Sequence, residues 1–157
     1  MTGKEQFIQE RFLASIQKCR THLGRIHYAS KQIKALFPLT SDQYKDITDA
    51  NIGNIDQLVF RFTKLQDELG NNTFRFLLEY LQEDTTGKPF RDILNTLERL
   101  QIIDSSDTWL SLRELRNDLA HDYPLMVDET IDKLNYLYLQ LPLIENILNT
   151  IERQVKL

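Results

Sequence analysis

The sequence predicts an all-α fold, an antiparallel bundle of five to six helices in which the first, second and last are long. Three observations carry that expectation. Apolar residues recur in three- and four-residue steps along most of the chain, which is the helical period. Five Gly and four Pro in 157 residues leave few turns, so the elements must be long. No stretch of any length alternates apolar and polar residues as a half-buried strand does. Hydrophobic residues make up 41% and charged residues 27%, enough for a real core and too apolar for disorder. No linker, repeat or low-complexity tract divides the chain, so one domain over residues 1–157 is expected.

The first helix spans about Lys4 to Leu36, with Phe12, Ile16, Cys19, Leu23, Ile26, Ser30, Ile33 and Phe37 on one stripe, and Pro38 ends it. Ser41 is placed to cap the second helix, whose inner face carries Tyr44, Ile47, Ile55, Leu58, Phe62, Leu65 and Leu69. Within it, Asp49 to Asn54 is the weak stretch where a bend is expected, and Gly70-Asn71 is the expected stop. A shorter helix follows from Thr73 to about Gln82, then a polar loop from Glu83 to Lys88. Pro89 suits the first residue of a helix carrying Phe90, Ile93, Leu94, Leu97 and Leu100. Ser106 is the expected cap of the next helix, which Pro124 closes. Asp128 is the expected cap of the last, with Ile131, Leu134, Tyr138, Leu141, Leu148, Ile151 and Val155 inward and a kink at Pro142.

Composition also narrows function. A lone Cys19 excludes an intrachain disulfide and a cysteine zinc cluster, and fits a reducing, cytoplasmic setting. The opening residues, Met1 to Gln6, lead into an amphipathic pattern rather than an apolar leader. No apolar run approaches the roughly 20 residues of a membrane span. A net charge of -4 gives no global attraction to nucleic acid, so any such binding needs a local basic patch. His22 and His27 lie five apart, not at the helical spacing that shares a metal, and Cys19 sits on the apolar stripe as a core residue. There is no Gly-rich phosphate loop and no metal site or cofactor is expected.

The unusual segment runs from Leu112 to Pro124. At about 100° per residue, Leu112, Leu115 and Leu119 form an inner stripe flanked by Trp109, and Arg116 projects into that apolar arc. A charge there costs several kcal/mol unless it is paired or lines a cleft. On a continuous helix His121 points about 140° away from Arg116. Pro124 disfavours helical geometry at Tyr123, so the last turn is expected to fray and free His121 to swing towards Arg116 or towards a second subunit. The plain alternative is a buried ion pair for Arg116, with His121 capping the helix C-terminus.

Arg116, His121 and Tyr123 together reproduce an R-x4-H-x-Y pattern, with the polar Asn117 directly after the arginine. This segment, with Trp109 and the stretch Phe60-Arg61-Phe62-Thr63-Lys64-Leu65-Gln66-Asp67, resembles HEPN-domain proteins. It is most similar to HepT-type toxins and the related nucleotidyltransferase-substrate-binding proteins. The resemblance covers nearly the whole chain.

What it implies is a metal-independent endoribonuclease acting as a homodimer, with Arg116 and His121 catalytic and Asn117 supporting them. Such chemistry uses a base for the RNA 2′-hydroxyl, an acid for the leaving 5′-oxygen and positive charge on the phosphate. Histidine titrates near neutrality and arginine offers a permanent planar fork, so both residue types suit those roles. The resemblance further implies that a cognate nucleotidyltransferase antitoxin transfers AMP to Tyr123 and so silences the toxin. The plain reading of Tyr123 is an aromatic packed before a proline. Asp118 reads equally as a solvated helix residue. Arg61, Lys64 and Asp67 share one helical face, either as a basic surface for RNA or partner or as residues that pair with one another, and Arg113 one turn before Arg116 extends a possible phosphate track. The competing function is a non-catalytic substrate-binding or regulatory subunit of the same nucleotidyltransferase.

Overall fold

Thr2 opens the first helix by accepting the Glu5 N–H at its hydroxyl, while the Glu5 carboxylate accepts the Thr2 N–H. The computed structural model describes residues 2–122 and 127–155, and every element among them is helical. Helix α1 (Gly3–Ile33) passes into a tight turn at Lys34–Leu36 before Pro38. Its stripe is as expected except that Ala29, not Ser30, is buried; the Ser30 hydroxyl turns back to the His27 carbonyl.

The long second helix expected from the sequence comes in two pieces, α2 (Ser41–Lys45) and α3 (Asp49–Glu68). Thr40, rather than Ser41, caps α2, and the Ser41 hydroxyl instead donates to Asp128 at 2.9 Å. The break falls at Asp46 to Thr48, just ahead of the expected bend, because the Thr48 hydroxyl accepts the Asn51 N–H and starts a new helix there. Asp49 to Asn54 are therefore helical.

Gly70-Asn71 does not stop α3. The chain continues through a π-helical turn, Leu69–Thr73, into α4 (Phe74–Tyr80). The Phe74 N–H reaches back five residues to the Leu69 carbonyl, and the Thr73 hydroxyl satisfies the Glu68 carbonyl at 3.1 Å. Gly70 serves close packing here: a Cβ on it would lie 3.2 Å from Cζ2 of Trp109.

Helix α5 (Phe90–Arg99) starts one residue later than expected, with Pro89 in the extended capping position. Helix α6 (Ser106–Asp122) is capped by Ser105, whose hydroxyl accepts the Thr108 N–H at 3.0 Å. Ser106 is buried and donates to Asn95 at 3.0 Å. Helix α7 (Val127–Glu152) contains Pro142 without ending at it, and Asp128 lies inside its first turn. The expected closure at Pro124 lies outside the described residues.

Partner pairs set the directions of the helices. Along α1, Ser15 meets Glu68 and Thr73, whereas His22 further on meets Arg61 earlier in α3, so these two helices are antiparallel. Arg20 pairs with Glu152 and Asn149, and His27 with Glu145, which makes α1 and α7 antiparallel as well. One apolar cluster joins all the long helices, with Phe12, Phe62, Phe74 and Trp109 among its largest fully buried side chains. Among the described residues no helix is long and apolar enough to cross a membrane.

Candidate functional site

Leu112, Leu115 and Leu119 bury themselves against the core, as their spacing requires. The same helix turns Trp109, Arg113, Arg116 and Asn117 towards the end of α3, at i, i+4, i+7 and i+8. Opposite stand Gln66, Asp67, Gly70 and Asn71, with Phe90 at the start of α5 closing one side. Together these residues line a cleft of about 260 Å³.

Arg116 is paired, which answers the cost of putting a charge on an apolar stripe. Its Nε donates to Oδ1 of Asp67 at 2.9 Å and its Nη2 to Oδ2 at 2.8 Å. The arginine side chain is 27% exposed and the aspartate 33%. The Asp67 hydrogen bonds push the guanidinium above its ordinary pKa, against a smaller lowering from burial, so Arg116 is a fixed cation. This two-point contact uses the side edge of the guanidinium, formed by Nε and Nη2. The end edge, between the two terminal nitrogens, retains donors, and Nη1 lies 3.5 Å from the Asn117 side-chain oxygen.

Arg113 is exposed at the mouth of the cleft, its guanidinium 5.3 Å from the Phe90 ring centre. Within the cleft wall, the Trp109 indole N–H is buried with no hydrogen-bond partner. Asp118 faces away towards α7 and reaches Lys133 at 3.8 Å.

His121 does not join this group within one chain. The expected fraying is absent at that position, because α6 remains helical through Asp122. Five residues of continuous helix set the His121 direction about 140° round the axis from Arg116. His121 is exposed. Tyr123 lies outside the described residues.

Arg61 and Lys64 are not part of the cleft lining. They do not pair with Asp67, whose oxygens are taken by Arg116. Lys64 is exposed beside the Phe60 ring at 5.6 Å. Arg61 Nη1 lies 3.1 Å from Nδ1 of His22. A guanidinium has only donors, so His22 accepts and is neutral in this contact. Burial, then the charges of Arg61 and Lys64, pull the His22 imidazole below its ordinary value of 6.5, against the opposite pull of Glu68.

The folded chain thus binds fewer protons at His22 than the unfolded chain does. Its contribution to stability is full above about 6.5 and is lost as pH falls from there towards the lowered folded value. Melting temperature is expected to drop more for the wild type than for His22→Gln when pH is taken from about 8 to about 5.5. Equal drops in the two proteins would remove His22 from this account.

The remaining candidates are structural. Burial pushes the Cys19 thiol up to about 12, outweighing the lowering by its Thr73 contact, so it stays protonated and unreactive. His27 pairs with Glu145 at 3.1 Å. Among the described residues no group of three His, Cys, Asp or Glu could hold a metal ion.

The sequence reading did not assign Gln66, Gly70, Asn71 or Phe90 to a site. The available signal was two interleaved four-residue steps, Gln66 to Gly70 and Asp67 to Asn71, whose small and polar residues suit a cleft wall on a helix face. No family model matches the chain, and neither does any curated protein or solved structure.

Proposed function

We propose that this chain is a metal-independent endoribonuclease toxin of the HEPN, HepT-like kind. It acts as a homodimer in the cytoplasm and is neutralised when a partner nucleotidyltransferase transfers AMP to Tyr123. The observation that carries the reading is the presentation of Arg116: Asp67 grips its side edge and leaves its end edge beside Asn117 in an open cleft. An arginine oriented in this way is suited to a phosphate whose negative charge grows in the transition state.

The reaction needs no electrophile beyond that charge. A histidine takes the 2′-hydroxyl proton, the resulting oxygen attacks the adjacent phosphorus, and the bond to the 5′-oxygen breaks as a proton relayed from that histidine through water reaches it. The products are a 2′,3′-cyclic phosphate and a free 5′-hydroxyl. One chain supplies a single His121, turned away from its own Arg116 on a continuous helix, so a second copy supplies the histidine facing each arginine. Asn117 steadies the free edge of Arg116 or a phosphate oxygen.

The Asp67 pairing also suits an arginine with a purely structural task, and that favours one second reading. In it the chain is a non-catalytic binding or regulatory subunit of the nucleotidyltransferase. Expressing the chain alone separates the two. The toxin arrests growth and its purified form cleaves RNA in the presence of EDTA, but not RNA with a 2′-deoxy substitution at the scissile nucleotide. Growth without arrest and RNA left intact would overturn the toxin reading and favour the subunit reading.

Tyr123 gives a further test. Incubated with the nucleotidyltransferase, ATP and magnesium, the wild type is expected to gain AMP on the peptide holding Tyr123, and Tyr123→Phe to gain none. That variant should remain a toxin which the partner no longer silences by modification. Undiminished labelling of Tyr123→Phe would move the acceptor elsewhere, with Tyr136 and Tyr138 next to be examined.

A further inference from the structure

We propose that the cleft between α3, α5 and α6 is a phosphate-binding site built around the edge of Trp109, with Gly70 leaving room beside that edge. This deepens the ribonuclease reading, and rests on it only for RNA as the source of the phosphate.

The charges of the cleft and, independently, a buried donor in its wall point to an anion. Arg113 and Arg116 bring two guanidinium charges to it and Asp67 brings one carboxylate, so its lining is cationic in a chain of net charge -4. Asp67 already neutralises the side edge of Arg116, leaving the end edge, in long contact with Asn117, and the Arg113 guanidinium beside the Phe90 ring for a ligand. The Trp109 indole N–H is a donor without an acceptor, in a residue only 1% exposed. An unpaired buried donor carries a desolvation cost, and a ligand oxygen or the water it brings would remove that cost.

Gly70 ties these features together. A Cβ on it would stand 3.2 Å from Trp109 Cζ2, 3.8 Å from Trp109 Nε1 and 3.9 Å from Phe90 Cζ. A methyl group there would fill the gap between the indole edge and the Phe90 ring, both of which line the cleft. The missing side chain thus leaves the indole edge, buried in the free chain, and an aromatic wall bordering the same space. A phosphate with its nucleoside matches that pairing, since guanidinium groups take the phosphate oxygens and an aromatic wall takes a base.

Trp109 is the one tryptophan of the chain, so its indole N–H gives a single resonance that reports on this cleft alone. The experiment titrates the full chain with inorganic phosphate, with AMP and with a short 2′-O-methyl RNA that cannot be cleaved. The expected result is a saturable shift of the indole resonance with phosphate-bearing probes, weakened about ten-fold or more in Arg113→Ala. Gly70→Ala is expected to weaken it similarly, and because Arg113 is exposed, Arg113→Ala keeps the test valid should Gly70→Ala fail to fold.

Tighter binding of the RNA than of AMP assigns the phosphate to an RNA backbone, and the reverse order assigns it to a free nucleotide. No shift with any probe, or undiminished binding by folded Arg113→Ala, would overturn the proposal. The two readings fail separately. RNA cleavage with a silent indole sinks the cleft site alone, whereas a responsive indole in a chain that cleaves no RNA sinks the ribonuclease alone.

Discussion

Replacing His121 with alanine is expected to abolish RNA cleavage and growth arrest while leaving the fold intact. The side chain is exposed near the end of α6, so its loss falls among surface substitutions that change stability by no more than about 0.5 kcal/mol. Its proposed task, by contrast, is to move a proton in the transition state, and removing such a group costs about a hundred- to ten-thousand-fold in rate. Activity and stability should therefore separate cleanly in this variant, as read by an RNA cleavage assay and a thermal melt on the same preparation. Full activity in a folded His121→Ala protein would remove the histidine from the mechanism.

Trp109→Ala is expected to do the opposite and damage the fold itself. The ring is 1% exposed, meets Phe74 edge-on with centroids 4.6 Å apart, and fits against Gly70. Truncating a buried tryptophan costs about 3–5 kcal/mol, a large share of the roughly 5–15 kcal/mol by which domains are stable. Denaturant unfolding should show the midpoint falling steeply for Trp109→Ala and much less for Trp109→Phe, which keeps a ring in the cavity. A loss of unfolding free energy of less than about 1 kcal/mol in Trp109→Ala would contradict the packing described for this corner.

Much of the fold was legible because helical periodicity reports which face of a segment turns inward. The stripes from Phe12 to Ile33 and from Ile55 to Leu65 are buried as their spacing demands. Boundaries were less legible wherever neighbouring residues compete for one role. Ser105 and Ser106 are both capable caps, and only tertiary packing decides that Ser106 faces Asn95 instead. Thr48 competes with Asp49 to Asn54 as the point of interruption, and its cap hydrogen bond moves the break earlier.

Gly70-Asn71 carries the usual sign of a helix end, yet the glycine is there for the approach of Trp109, a residue distant in sequence. The site shows the same division. Arg116 on a leucine stripe announces that it needs a partner or a cleft, and it has both. That the partner is Asp67, 49 residues away, follows from the antiparallel packing of α3 on α6 and from nothing local. Of the two destinations expected for His121, its own Arg116 or a second subunit, the continuous helix is at odds with the first, because α6 stays helical through Asp122.

That continuous helix supplies the most direct test of the ribonuclease account. If each active centre joins Arg116 of one copy to His121 of another, then Arg116→Ala and His121→Ala should be inactive alone yet complement one another in mixed dimers. Each mixed dimer retains one centre with both groups. Co-expressing the two variants, isolating the mixed dimer and measuring RNA cleavage should therefore recover activity well above that of either homodimer. A mixed dimer as inactive as its parents would contradict an active centre assembled between two copies.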